Sequence, residues 1–468
     1  MAPPPEACIH SEDTGVRTAR GSTQPMKSKV LAGVGVVAVA AAALTGCSSG
    51  EAAASCTNEI KQPDATQVSV WAWYPAFEQV VDLFNETHDD VQVCWTNAGQ
   101  GNDEYTKFST AIESGSGAPD VIMLEAEVLS SFSIRDALVD LSEYGASDVE
   151  GDYTEGAWKD VSSGDAVYAI PVDGGPMGML YRKDILDQHG ITPPTTWAEF
   201  ADAAQKLKDA GAPGVLADFP PNGRAYTQAL FAQSGSVPFT YDSAEPTDIG
   251  IEVNDQGAKD VLAYWQDLAA KDLVAVDEAF TADYNTMLVD GTYAIYVAAA
   301  WGPGYLQGLE GTDDSAEWRA APVPQWDTAN PVQINWGGST FAVTSQAEDK
   351  EAAATVAKEI FGTEEAWKIG IEEAALFPLW KPILESDYFA DLEYPFFDGQ
   401  QINKEVFLPA AAGYGGFTFS PFQNYAYDQL QEEVTAVVVD EGKDADQALD
   451  DLQTTLEKYA EEQGFTVE

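Results

Sequence analysis

The chain has 468 residues, of which 77 are acidic and 23 basic, giving a formal net charge of −54, and 45% of it is hydrophobic. That charge repels nucleic acid and anionic lipid headgroups and excludes both as partners, and the apolar content excludes an acidic disordered chain. Three histidines and four cysteines, with no HExxH and no Cys/His cluster, speak against a zinc centre, so neither metal nor cofactor is expected.

Met1 to Pro25 is Pro-rich and mixed in charge, which points to Met26 as the start of translation. Met26-Lys-Ser-Lys29 is followed by an apolar, Ala-rich run to Leu44 and then by Thr45-Gly46-Cys47. The run is too short to remain as a membrane span and reads as an export signal. The segment resembles a lipobox, which implies cleavage after residue 46 and acylation of Cys47. Two acyl chains suffice for stable anchoring, so the rest of the chain is expected on the extracellular face of the bacterial membrane, attached through the lipid anchor only. The alternative is a small buried helix that happens to precede a cysteine. Residues 47–65, rich in Ser, Ala and polar side chains, read as a tether. Cys56 and Cys94 remain as a pair in an oxidising compartment and are expected to form a disulfide, the alternative being two free buried thiols.

Past the tether, Val68 to Trp73 alternates as a strand, Phe77, Val80, Val81 and Phe84 recur at helical spacing, and Val91 to Trp95 is a second strand. Strand, helix and strand in this order form a βαβ unit and predict a parallel sheet with a right-handed crossover. A helix over Tyr105–Ser114 and an apolar strand over Asp120–Leu124 repeat the pattern. Further helices are predicted at Trp197–Ala210, capped by Thr195 or Thr196, at Ala225–Gln233, Ala258–Ala270 and Lys350–Phe361. The chain ends in two more, Tyr425–Val439 and Asp444–Glu462, separated at Gly442. No transmembrane run follows Cys47, and the length exceeds one ordinary core, so two α/β domains are expected.

Several blocks, in order, carry a family resemblance. They are the strand and helix Val68–Asn85, Ala169-Ile-Pro-Val-Asp-Gly-Gly-Pro176, Leu180-Tyr-Arg-Lys-Asp-Ile-Leu186 and Pro193-Pro-Thr-Thr-Trp-Ala-Glu-Phe200. Met287-Leu-Val-Asp-Gly-Thr-Tyr-Ala-Ile-Tyr296 leading to Trp301, Trp336-Gly-Gly-Ser-Thr-Phe-Ala-Val343 and Gly442-Lys-Asp-Ala-Asp-Gln-Ala-Leu449 complete the set. Together they resemble the extracellular solute-binding proteins of ATP-driven (ABC) sugar importers, family 1, of the maltose-binding-protein-like kind. One departure stands out, since Ala298-Ala-Ala-Trp301 replaces the Asn-Gly-Pro-Trp of many relatives and alters how the strand delivers its tryptophan. The resemblance implies a type II periplasmic-binding-protein-like fold, two α/β lobes with a hinge and an interlobe ligand cleft. The first lobe would comprise residues 66–172 plus 324–380, and the second residues 173–323 plus 381–468. A monomer working with importer permease subunits is implied.

In open α/β sheets ligands bind beyond the carboxyl ends of strands. That rule selects Trp73 and Tyr74, the loop Asn97–Asp103 with Asn102, and Glu125 and Glu127. A neutral sugar asks for flat rings against its C–H face and for carboxylates or amides on its hydroxyls. Trp301 is the strongest ring by family spacing, and Trp73, near its strand end, is preferred over Trp71. Trp336 beside Gly337, and Phe417 in the loop Tyr414–Phe419, are further candidates that a core role would explain equally well. Trp95, Trp265, Trp318 and Trp367 read as structural. Asp173 lies in the Gly-rich crossover, and Asn222 and Arg224 precede a helix where relatives carry ligand contacts. The expected function is capture of a neutral oligosaccharide without chemical change. The rivals are a glycoside hydrolase with paired carboxylates, and an adhesive surface lipoprotein.

Overall fold

The computed structural model describes residues 56–241, 247–310, 316–440 and 442–468. The leader, Cys47 and the tether up to residue 55 lie outside the described residues. Among the described residues no helix is long and apolar enough to cross a membrane.

The first sheet has five strands. Thr66–Trp71 is parallel to Val91–Thr96 on one side, with Val68 opposite Val93, and to Val121–Glu125 on the other. The βαβ reading is therefore correct, the helix Phe77–Thr87 burying Phe77, Val80, Val81 and Phe84 as its spacing predicted. Ser339–Val343 then enters antiparallel beside Val121–Glu125, placing Ser339 opposite Glu125, and pairs on its far side with Ile170–Pro171. The strand from far along the chain is thus built into the sheet whose ends carry Glu125.

The second sheet is antiparallel, with Met177–Arg182 between Ile295–Ala299 and Trp318–Pro322. Around it stand helices Trp197–Asp209, Arg224–Gln233 and Gln256–Ala270, closed by the C-terminal helices Gln423–Val438 and Ala445–Gln463. Local signals set several of these boundaries. Thr196 Oγ1 accepts from Glu199 N–H at 3.1 Å, so Thr196 is the cap, and Asp444 caps the last helix through Gln447 N–H at 2.9 Å. Trp197, Trp265, Trp318 and Trp367 are fully buried and Trp95 is 9% exposed, in keeping with structural roles. Apolar side chains from Ile383 to Phe407 join the core of the first sheet, while Val406 and Phe407 also press on Gly178 of the second. From Phe422 onward the chain belongs to the second core.

Two stretches cross between the sheets in contact with one another, Val172–Met177 and Ile334–Ser339. Trp336 N–H donates to Gly175 C=O at 2.8 Å, and Met177 N–H to Ile334 C=O at 3.0 Å. A Cβ on Gly175 would fall 1.9 Å from the Trp336 carbonyl oxygen, so only glycine permits this approach. Cys56 and Cys94 form the expected disulfide, which fastens the start of the described chain to the second strand of the first sheet.

Candidate ligand-binding cleft

Strand ends of the first sheet, the N-terminus of helix Arg224–Gln233 and the start of helix Gln423–Val438 converge beside the crossovers. Glu125 ends its strand and Glu127 lies two residues on, in the short turn Ala126–Val128, both partly buried. Tyr105 Oη donates to Glu125 Oε2 at 3.2 Å, and Trp73 sets its ring edge-on to Tyr105 at 5.9 Å. Trp73, two residues beyond the end of its strand, is thereby linked to the carboxylate pair. From the other side Tyr427 Oη donates to Glu127 Oε2 at 3.0 Å, and the Arg224 guanidinium lies over the Tyr427 ring at 5.6 Å while pairing with Asp428 at 2.6 Å.

Burial pushes both glutamates above the usual carboxylate range; Tyr105 and Arg224 pull Glu125 back, while for Glu127 the charge of Glu125 pushes further up. Burial likewise raises Asp173 and Asp160 to about 7 each. A carboxyl accepts hydrogen bonds from hydroxyl groups and, when protonated, also donates one.

A cavity of about 430 Å³ opens here, lined by Glu127, Asp160, Gln228, Gly337, Phe417 and Tyr427 among others. It continues into a recess of about 380 Å³ past Ser130, Tyr168 and Phe419, and into a narrow one beside Asp173. Asp160 holds its rim, accepting from Phe417 N–H at 2.8 Å and from Tyr414 Oη at 3.0 Å. Ser130 Oγ donates to the Ser420 carbonyl at 2.6 Å across the same gap.

An aromatic patch beside the crossovers abuts this cavity at Gly337. Trp301 stands edge-on to Trp336 with centroids 4.8 Å apart, its Nε1–H donating to the Trp336 carbonyl at 3.2 Å. A Cβ on Gly337 would lie 3.8 Å from that indole nitrogen. Trp301 packs against both cores and Trp336 against the second, and each stays partly exposed. Trp336 also leans on Tyr226 at 5.2 Å.

Three expected site residues are placed otherwise. Tyr74 is only 5% exposed, its ring wedged among Phe77, Phe341 and Phe361 and its hydroxyl bonded to Ser339 Oγ at 2.7 Å and Asp173 at 3.3 Å. It braces the crossover with Asp173, itself bonded to the Ser339 hydroxyl, and has no ring face to offer. Asn102 is not in a loop, because the helix begins at Asn102 rather than Tyr105, and it is exposed away from the cavity. Asn222 spends both ends of its amide on Ala279, accepting from its N–H at 2.9 Å and donating to its C=O at 3.2 Å. Conversely Asp160, Tyr427 and Phe280 stand at the site without having been singled out. For Tyr427 the amphipathic pattern gave a helix start, whereas Asp160 and Phe280 lie in stretches with no periodic or motif signal.

Comparison with known proteins fits this geometry. The model of the family described as bacterial extracellular solute-binding protein matches residues 71–367. A lactose-binding protein of Rhizobium radiobacter is 21% identical over 64% of this chain and 71% of its own length. A lipoprotein encoded in the oleD 5' region of Streptomyces antibioticus is 30% identical over 37% of this chain and 38% of its own length. Among solved structures, an ABC transporter-associated binding protein from B. animalis subsp. lactis Bl-04, in complex with β-1,6-galactobiose, aligns with a TM-score of 0.75 at 27% identity. That alignment covers 86% of this chain and all of the other. The shared architecture is the type II periplasmic-binding-protein fold, two α/β lobes joined by a hinge with a cleft between them. On the matched span and this fold, the chain belongs to the bacterial extracellular solute-binding proteins.

Proposed function

We propose that this protein is a lipid-anchored extracellular receptor that binds a neutral oligosaccharide in its interlobe cleft, leaves it chemically unchanged, and delivers it to the permease subunits of an ABC importer. The observation that carries the reading is the pairing of unlike surfaces at the crossovers. One lobe contributes the Glu125–Glu127 carboxyl pair with Trp73, the other contributes Trp301 with Arg224, and Trp336 stands edge-on to Trp301 from the crossover between them. Rings of this kind cover the C–H face of a pyranose while the carboxyls take its hydroxyls. The relatives support the substrate class, since one is named for lactose and another was solved with β-1,6-galactobiose. We assign residues 66–172 with 324–380 to the first lobe and residues 173–323 with the C-terminal helices from Phe422 to the second, while the apolar side chains of 383–407, expected from the sequence in the second lobe, pack on the core of the first sheet. A monomer is the working unit. Cys47, acylated after removal of residues 1–46, would hold the protein at the membrane face.

Titration calorimetry of the processed chain with lactose, maltose and β-1,6-galactobiose, followed by chromatography of the recovered sugar, tests the reading. Saturable binding of at least one sugar, recovered intact, is expected. Shortened sugar, with activity lost in Glu125→Gln, would favour the glycoside hydrolase instead. Absence of binding to all three and to longer neutral oligosaccharides would overturn the proposal.

A further inference from the structure

Phe280 combines two features that a folded chain ordinarily avoids. The residue is 50% exposed, more than any other aromatic residue among the described ones. Its backbone also sits at φ 66°, in the left-handed region. The other non-glycine residues there among the described ones are alanines and aspartates, so Phe280 alone carries a bulky side chain in that conformation. Such strain persists only where neighbouring structure enforces it, and it concentrates at ligand sites.

The enforcing structure is explicit. The loops 217–224 and 275–281 are stitched side by side. Ala275 N–H donates to the Ala217 carbonyl at 3.0 Å, Phe219 N–H to the Ala275 carbonyl at 2.9 Å, and Asp277 N–H to Asp218 Oδ1 at 2.9 Å. The last stitch is the two-ended amide of Asn222 on Ala279, the residue directly before Phe280. Thr281, directly after it, caps the next helix through Tyr284 N–H at 3.2 Å. Phe280 is therefore fixed from both sides, and its ring is delivered onto the aromatic patch. It lies 6.1 Å from Trp301 and 6.2 Å from Trp336, tilted by 48° and 45°, and edge-on to Tyr305 at 5.5 Å. The tilt makes the three rings a corner rather than a flat platform.

We propose that Phe280 is a ligand-contacting ring that walls, with Trp301 and Trp336, a subsite for the C–H face of one pyranose unit, and that Asn222 is the positioning residue holding it there. The inference rests on the oligosaccharide-binding reading above and adds to it a specific wall and its support. Core packing does not account for the ring, since the residue is half exposed, and the backbone would be unstrained with glycine at this position.

The test is calorimetry with whichever of lactose, maltose and β-1,6-galactobiose binds the wild-type protein most tightly, alongside thermal unfolding of the ligand-free variants. Phe280→Gly removes the ring and accepts the left-handed backbone, so affinity should fall tenfold or more with the unfolding midpoint equal to or above that of the wild type. Asn222→Ala should lower affinity by a similar factor. The double variant should bind no more weakly than the weaker single one, because Asn222 acts only through Phe280. Affinity of Phe280→Gly within twofold of wild type, or additive losses in the double variant, would overturn this inference alone and leave the functional reading standing. A wild-type protein that binds no neutral oligosaccharide would overturn both.

Discussion

Replacing Trp301 with alanine separates a ligand-facing ring from a core ring. The indole is partly exposed and makes ring contacts, edge-on with Trp336 at 4.8 Å and Tyr305 at 6.3 Å and tilted with Phe280 at 6.1 Å, plus one hydrogen bond to the Trp336 carbonyl. Losing that bond and partial packing should cost about 1–2 kcal/mol of stability. By contrast Trp265→Ala empties a fully buried site and should cost about 3–5 kcal/mol. Against ligand the order reverses. Truncating a central aromatic contact costs about 2–4 kcal/mol of binding, a roughly thirtyfold to thousandfold loss of affinity. Calorimetry with the tightest neutral oligosaccharide, paired with thermal unfolding of the ligand-free variants, reads both quantities. Affinity retained within threefold, together with a midpoint drop as large as that of Trp265→Ala, would assign Trp301 to the core and refute the reasoning.

Changing Cys47 to alanine should abolish acylation and shift the protein from the membrane fraction to the medium, or block processing; membrane retention with a processed N-terminus at another residue would count against the anchor. The Cys56–Cys94 bond closes a separation of 38 residues, so its loss in a double alanine variant should lower stability by about 4 kcal/mol on the chain-entropy account, measured by denaturant unfolding. Two titratable thiols in the unfolded, unreduced protein would contradict the pairing. Asp160 has its folded-state pKa raised by burial to about 7 from an ordinary value near 4, so the folded state holds more protons across that window. Stability should therefore be greatest at the acid end of that window and fall as pH rises through it to about 7. Asp160→Asn, which keeps an acceptor for Phe417 N–H, should flatten this slope and raise the midpoint at pH 8, and an unchanged slope would show that Asp160 does not set it.

The local signals were sufficient for much of the fold. The threonine cap before Trp197, which falls on Thr196, the apolar spacing of Phe77–Phe84 and the parallel strands of the first sheet depend on neighbours within a few residues; the strands lie within two residues of where the pattern put them, the first ending at Trp71 rather than Trp73. The strand-end rule likewise delivered Trp73, Glu125 and Glu127 to one place. What the pattern missed depends on distant partners. Tyr74 sits at a strand end but is sealed by Ser339 and Phe361, which reach it only after the chain has returned to the first sheet. Asp160 meets Tyr414 and Phe417 from more than 250 residues away in sequence, and Asn222 meets Ala279 across 57, so neither partnership leaves a mark at short range. Asn102 was misplaced for a smaller reason: polar residues at the helix start hid its first turn. Phe280 was missed because a single aromatic between Ala279 and Thr281 has no periodicity to betray it.

A crystal structure of the processed protein with the tightest-binding neutral oligosaccharide tests the central claim most directly. The account predicts a sugar ring against Trp301 and Phe280, with hydroxyls bonded to Glu125 or Glu127 from the opposite lobe and the sugar chain unbroken. A sugar seated elsewhere, with the Trp301–Trp336 rings and both glutamates free of ligand, would contradict it.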